Sequence, residues 1–223
     1  MEQLADKGNG NYAYIDSELE AKKSLVDEID GTLMTIAKDV KIQVDFNPAR
    51  VHSYRLIGYE NRLLQNQDFS DDTKDVGEIG AGHSVTAFYE LVPADPDNPH
   101  DPNSASNQDL ASDFVRTELK PSATDSDVVL NVHLRYKHPQ ESASQLVTIP
   151  LQVPANQQVE KATGDFQFAA AVAAYGMLLR DSKFKGDADW QSVLAAAQNG
   201  AGEDRKGYRG EFIQLVRQAS LVR

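Results

Sequence analysis

From Val40 to Tyr59 the chain changes its chemistry at every second residue. Val40, Ile42, Val44 and Phe46 alternate with Lys41, Gln43 and Asp45. After Asn47-Pro48 the alternation resumes through Tyr54, Leu56 and Gly58. Successive side chains leave a strand on opposite faces, so this period calls for two half-buried strands rather than a helix. Asn47-Pro48 supplies the turn between them. The same logic marks His83–Val92, reached through Gly77, Gly80 and Gly82, and Asp127–Tyr136, with Val128, Leu130, Val132, Leu134 and Tyr136 on one face. Phe114–Leu119 reads as an edge strand ended by Pro121. Gln145–Val153 reads as a strand at an edge or bulge, because Pro150 has no N–H to give a neighbour.

The two ends read differently. Tyr12, Tyr14 and Ile15 form a short β-prone run, and Asp16 or Ser17 then caps a helix to about Asp30. Its apolar positions are Leu19, Ala21, Leu25, Val26 and Ile29, and Gly31 suits its C-terminal turn. One strand and one helix cannot bury both their faces, so this looks like the tail of another domain. Beyond Pro154 three helices follow. Asp165–Arg180 presents Phe166, Ala169, Ala170, Ala173 and Met177, with Gly176 for close packing. Asp187 caps Asp189–Gln198. Tyr208, Phe212, Leu215, Ala219 and Val222 carry the rhythm of the last helix. Asn61–Gln65 reads as one helical turn, and Ala94–Asn107, with Pro96, Pro99 and Pro102, as a loop.

Charge excludes whole classes of partner. The formal net charge is -12, and between Asp68 and Asp109 there are ten acidic residues against Lys74 alone. An acidic surface repels nucleic acid and anionic lipid, so neither is an expected partner. With no cysteine, thiol catalysis, disulfides and Cys-ligated metals are ruled out. No apolar run has the length that spans a bilayer, so no direct membrane insertion is expected.

Candidate sites are few. Asp68, Ser70, Asp72 and Asp75 offer oxygens at the alternating spacing of a Ca²⁺ loop. The EF-hand pattern then fails, with Thr73 in the glycine position and Ile79 in that of the bidentate carboxylate. A solvated acidic turn accounts for the segment better. Among His52, His83, His100, His133 and His138 there is no H-x-H or H-x-x-x-H pair, which favours surface or pairing roles. No G-x-S-x-G is present. Gly77-x-x-Gly80-x-Gly82 leads into a strand rather than a helix and so reads as turn glycines, not a phosphate loop. Arg55, Tyr59, Glu60 and Arg62 are the candidate partner-binding set, weighed against a bracing network around their strand. Trp190 reads as a helix-packing anchor. No catalytic residue, metal or cofactor is singled out.

Taken as strings, NYAYIDS near the start, VKIQVDFNPARVHSYRLIGYEN, GEIGAGHSVTAFYELVP, FAAAVAAYGMLLRDS and GYRGEFIQLV occur in one order. In that order they resemble the C-terminal domain of unknown function of YfbK-type bacterial von Willebrand factor type A domain proteins. The resemblance implies an exported or membrane-associated bacterial protein with an A domain ahead of this module. Such A domains hold Mg²⁺ through D-x-S-x-S. This chain has none, since Asp101-Pro102-Asn103-Ser104-Ala105-Ser106 has one residue too many, so that site is not carried over.

The expected architecture is α+β. Residues 1–32 are a strand–helix remnant of a von Willebrand A domain. Residues 33–154 form an antiparallel β-sandwich-like domain, and 155–223 a three-helix subdomain packed on it. The expected function is a non-catalytic protein-interaction or scaffolding module with an unknown protein partner. The alternative is a Ca²⁺-stabilised surface- or glycan-binding domain using residues 68–75. Residues 11–15 are expected to offer a route to self-association by strand addition.

Overall fold

The computed structural model describes residues 12–58, 66–74, 76–94, 115–116, 127–152 and 162–222. They form a mixed α/β architecture of antiparallel sheets and five α-helices. Two compact units are present. One takes Met1–Arg55, Tyr59–Thr86 and Glu90–Ala155. The other takes Leu56–Gly58, Ala87–Tyr89 and Asn156–Arg223.

In the first unit, Ser17 caps α1 (Glu18–Lys22) by accepting from the Glu20 N–H at 3.1 Å. A π-helical turn (Lys23–Asp27) follows, then α2 (Ile29–Leu33). Two expectations are corrected here. Tyr12–Asp16 is not a strand, for no neighbouring strand pairs with it among the described residues. Gly31 lies inside α2 instead of ending a helix. Its own role is steric: a Cβ on Gly80 would fall 1.5 Å from the Gly31 carbonyl oxygen, so Gly80 admits no side chain.

Strand β1 (Thr35–Phe46) begins earlier than its alternation indicated. It turns at Asn47–Arg50 into β2 (Val51–Ile57). The Asn47 amide donates to the Val128 carbonyl at 2.7 Å, tying this turn to a later strand. Short β3 (Ile79–Gly80) is followed by β4 (Phe88–Pro93), β5 (Val115–Arg116), β6 (Val128–Lys137) and β7 (Gln145–Gln152). The segment from His83, expected as a strand, becomes one only at Phe88, after the Gly82 turn at φ +76°.

A four-stranded antiparallel sheet runs β3-β1-β6-β7, and a three-stranded sheet runs β4-β2-β5. Among the described residues β7 is an edge strand, one of the places a strand carrying Pro150 was expected to take. A proline on a free edge also weakens pairing with a further strand.

One irregularity decides how the large sheet is used. Lys38 lies opposite Lys137, but Lys41 lies opposite Arg135, so β1 carries one extra residue between them. Asp39, at φ +50°, lies in this bulge. Beyond it, Lys41, Gln43 and Asp45 share a face with Arg135, His133 and Asn131. Ile42, Val44 and Phe46 share the other with Leu134, Val132 and Leu130.

The alternation implied burial of the apolar set. Phe46 is buried, its ring 4.3 Å from that of Tyr54, but Ile42 is 50% exposed and Lys41 only 2%. The polar face is covered by a 3₁₀ turn (Asn66–Ser70) and the residue after it, and the Asp68 and Asp71 carbonyls there accept from Lys41, which is why a lysine is inside.

The helical unit contains α3 (Gly164–Leu179), α4 (Trp190–Asn199) and α5 (Tyr208–Val222). Its core is Ala171, Val193, Ala197, Ile213 and Val216, with Phe168, Tyr175, Leu178, Trp190 and Phe212 packed around it. The expected apolar stripes are corrected. Phe166 is exposed at the surface of α3 and meets Phe88 edge-on at 5.3 Å, and Leu215 and Val222 are exposed on α5. Gly176 has open space rather than a close neighbour. The tight contact is at Gly200, where a Cβ would fall 2.5 Å from the Gly164 carbonyl oxygen. Asp189, not Asp187, caps α4, in a reciprocal box with Ser192.

Candidate functional site

The densest polar constellation lies on the polar face of the four-stranded sheet, beneath a strap made by the 3₁₀ turn and residues 71–74. The Lys41 ammonium donates to the Asp68 carbonyl at 3.1 Å and also to the Asp71 carbonyl. Lys137 Nζ donates to the Asp72 carbonyl at 2.8 Å and to Asp39 Oδ2 at 2.8 Å. The bulge turns Asp39 so that its other oxygen accepts from the Val76 N–H at 3.3 Å. Lys74 lies 3.6 Å from Asp68 Oδ1, and Arg135 lies 3.7 Å from Asp72 Oδ1. Arg135 also stacks over Phe69, the strap's apolar anchor, with its charge 5.6 Å from the ring centre.

This is where the metal candidates fall. Asp68 and Asp72 meet lysine and arginine, and the Asp71 carboxylate is closed on itself, accepting from the Thr73 N–H at 2.9 Å and hydroxyl at 2.6 Å. Those Thr73 bonds hold the Asp71 carboxyl below the ordinary aspartate range. Ser144 bonding does the same for Asp72, aided by Arg135 and Lys137. Ser70 is exposed on the strap, and Asp75 lies outside the described residues. The cations that the strap's oxygens receive here are ammonium and guanidinium groups. Among the described residues no three His, Asp or Glu side chains gather to hold a metal ion.

Next along the same face, three strands contribute one hydrogen-bonded line. His133 Nε2 lies 3.1 Å from Asp45 Oδ2, and His133 Nδ1 lies 2.9 Å from Thr148 Oγ1. Gln43 completes the set by donating to Asp45 Oδ1 at 3.0 Å. An Asp–His–Thr line has the members of a nucleophilic relay, but this one lies flat on an open sheet with Asp45 and Thr148 exposed. Such relays work beside a cleft with donors for a developing oxyanion. Cross-strand pairing, which orders β1, β6 and β7 laterally, is the role the geometry gives it.

Of the candidate partner-binding residues, Tyr59, Glu60 and Arg62 lie outside the described residues. Arg55 pairs with Glu90 on β4, an ion pair whose arginine is largely covered. Burial raises the Tyr54 hydroxyl above its ordinary pKa, with the Asp45 charge adding to it. In the helical unit, Arg209 donates to the Gly200 carbonyl at 2.7 Å and to Asp165 at 2.5 Å, with its charge over Phe168. It therefore caps α4 and holds the start of α3. Trp190 is the packing anchor the sequence suggested, its ring 5.8 Å from Tyr175.

A different surface dominates the start of the described chain. Tyr12, Tyr14, Ile15, Leu25, Val26, Ile29, Leu33 and Met34 are all exposed, with Tyr14 at 70% and Leu33 at 74%. Scattered apolar side chains on a surface are ordinary, but this many within one short segment are not. Among the described residues no helix is long and apolar enough to cross a membrane.

A family model described as "Uncharacterized protein YfbK, C-terminal" matches residues 31–222. The chain belongs to this family. It is also 41% identical over 225 residues to Uncharacterized protein YfbK of Escherichia coli (strain K12), an alignment that takes in 100% of this chain. The chain spans 36% of that relative's length. No solved structure matches. The strings that carried the resemblance thus identify the family correctly, and the residues around Lys41 are part of its C-terminal module. Lys41, Asp39, Lys137 and Glu90 are the site residues that sequence reasoning missed. A lysine at an alternating strand position reads as solvent-facing, and Glu90 lies 35 positions from the arginine it meets.

Proposed function

We propose that this chain is a non-catalytic interaction or scaffolding module of an exported bacterial protein that also carries a von Willebrand A domain. The observation that carries the reading is the exposed apolar run from Tyr12 to Met34. Its occupant is the part of the protein preceding the module. The family model begins at residue 31, so Tyr12 to Asp30 lie ahead of the matched C-terminal domain. The E. coli relative contains this segment and is much longer than the chain. On this reading residues 1–32 are the end of an A domain, and Leu25, Val26 and Ile29 pack against the remainder of it. A helix that exposes a row of large apolar side chains gains its stability from the surface that covers them. The two β-sheets would then form a sandwich-like body, with the Phe46–Tyr54 contact inside it.

Hydrogen exchange tests the reading. Amides of residues 18–33 are measured in this chain and in a version extended to the length of the E. coli relative. We expect slower exchange in the longer protein by at least about tenfold, the signature of a covered helix. Equal exchange in both would refute the docking. Light scattering on this chain covers the other use of the same surface, self-association through residues 11–15. A dimer abolished by deleting them would assign the surface to a second copy.

A further inference from the structure

We propose that the strap at residues 66–74 is a cation-binding loop whose cation is the chain's own Lys41 ammonium. The proposal stands on the geometry of the first unit and is independent of the docking reading above.

An ammonium has three protons to donate and no acceptor. Lys41 is 2% exposed, so water does not supply its partners, and its Nζ is held by the main-chain carbonyls of Asp68 and Asp71. Main-chain carbonyls converging on a buried positive charge, with carboxylates close behind, are how loops hold a hard cation. Here Asp68, Asp71 and Asp72 supply the negative surroundings. The second lysine repeats the arrangement at the next carbonyl, since Lys137 binds Asp72 O and Asp39 Oδ2. The loop thus has the chemistry of a cation site, and the four-carbon stem of Lys41 carries the cation in from the strand beneath.

Two consequences follow. The native loop has no call for calcium. Shortening Lys41 leaves the Asp68 and Asp71 carbonyls facing the space its ammonium held, open to a small external cation. Without one, the Asp68 and Asp71 carbonyls keep only the Asp71 and Lys74 N–H groups as donors and lose their charged partner, whose bonds are worth more than neutral ones.

Thermal melting of the wild type, Lys41→Ala and Lys41→Met tests this, with the β-rich unit followed by circular dichroism. Each protein is melted with ammonium chloride, tetramethylammonium chloride or sodium chloride at one ionic strength, and again with millimolar calcium chloride. We expect the wild type to be indifferent to the choice of cation. Lys41→Ala should melt lower by roughly 5–10 °C. Ammonium, but not the bulkier tetramethylammonium, should return a measurable part of that loss. Lys41→Met, which fills the same space without charge, should be lowered and not rescued. A rise in the wild-type melting temperature with calcium would overturn the proposal. So would a Lys41→Met protein as stable as the wild type, or equal responses of Lys41→Ala to the two ammonium ions.

If Lys41→Ala does not fold, the wild type answers by itself. An ammonium trapped between carbonyls exchanges its protons slowly enough to give a ¹⁵N–¹H signal in the cold. We expect that signal for Lys41, with through-space contacts to residues 68 and 71. A Lys41 ammonium that exchanges as fast as the exposed lysines would contradict the trap.

Discussion

The two units of this chain are held together by different physics. In the helical unit every buried side chain of the core is apolar: Ala171, Val193, Ala197, Ile213 and Val216. In the β-rich unit the described buried side chains are Phe46 and Val51 together with Lys41 and Ser53. Apolar packing is non-directional and tolerates adjustment, whereas a buried ammonium fixes the position of each group it touches. The contrast teaches that an acidic strap can be ordered from beneath, by a lysine supplied from the sheet it covers.

The sharpest way to break the comparison is at Gly200. A Cβ there would meet the Gly164 oxygen at 2.5 Å and the Phe168 nitrogen at 2.6 Å, both backbone atoms that cannot swing away. Gly200→Ala should therefore destabilise the helical unit by about 3 kcal/mol, through forced separation of α3 and α4. Trp190, the single tryptophan, reports that unit by fluorescence during urea unfolding. A variant as stable as the wild type would show that the helices are not in contact there. Val216→Ala removes two methyl groups from a fully buried site and should cost about 2 kcal/mol by the same readout.

Smaller effects are expected from ion pairs with a face in water. Glu90 is more than a third exposed, so the Arg55–Glu90 pair is discounted for screening. Its coupling, from a double-mutant cycle with Glu90→Gln and Arg55→Met, should be about 1 kcal/mol or less. A much larger coupling would extend the charge-organised character of the first unit to its second sheet.

The smallest effect is the response to acid. The Asp71 and Asp72 carboxyls have lowered folded-state pKa values, so their stabilisation is complete above the ordinary aspartate value and is lost as pH falls through the folded one. Protection of the strap amides, taken relative to intrinsic exchange at each pH, should therefore fall as the pH drops below about 4. Asp189 is lowered too, by the Ser192 N–H and then its hydroxyl, so the first turn of α4 should weaken in the same direction. A strap that is more protected in acid would contradict the sign.

Much of the strand pattern was legible because period two is a local property of the chain. What it could not give was the face that turns inward. Lys41 alternates as a surface residue would, and only the arrival of residues 68–71 over it makes its position an interior one. In α3 the run FAAAVAAYGMLL is apolar on every side, so nothing polar fixed the stripe read through Phe166, Ala169, Ala170, Ala173 and Met177, and the buried position proved to be Ala171. The cap of α4 was within reach of the sequence, since Asp189 has Ser192 three residues on, while Asp187 has no such partner. The Asp39 bulge was not, because a non-glycine residue at φ +50° leaves no mark on the alternation. The exposed segment from Tyr12 to Met34 was visible as a strand and helix without a home. The docking proposed above starts from that segment.

The account rests most on Lys41. Amide hydrogen exchange of the wild type and Lys41→Met, resolved by residue, tests it directly. We predict that Asp71, Lys74 and Val76, whose N–H groups are bonded within or beneath the strap, lose protection in the variant while the amides of α3 to α5 keep theirs. Unchanged protection at those three amides would show that the strap is ordered without the lysine, and would contradict the claim.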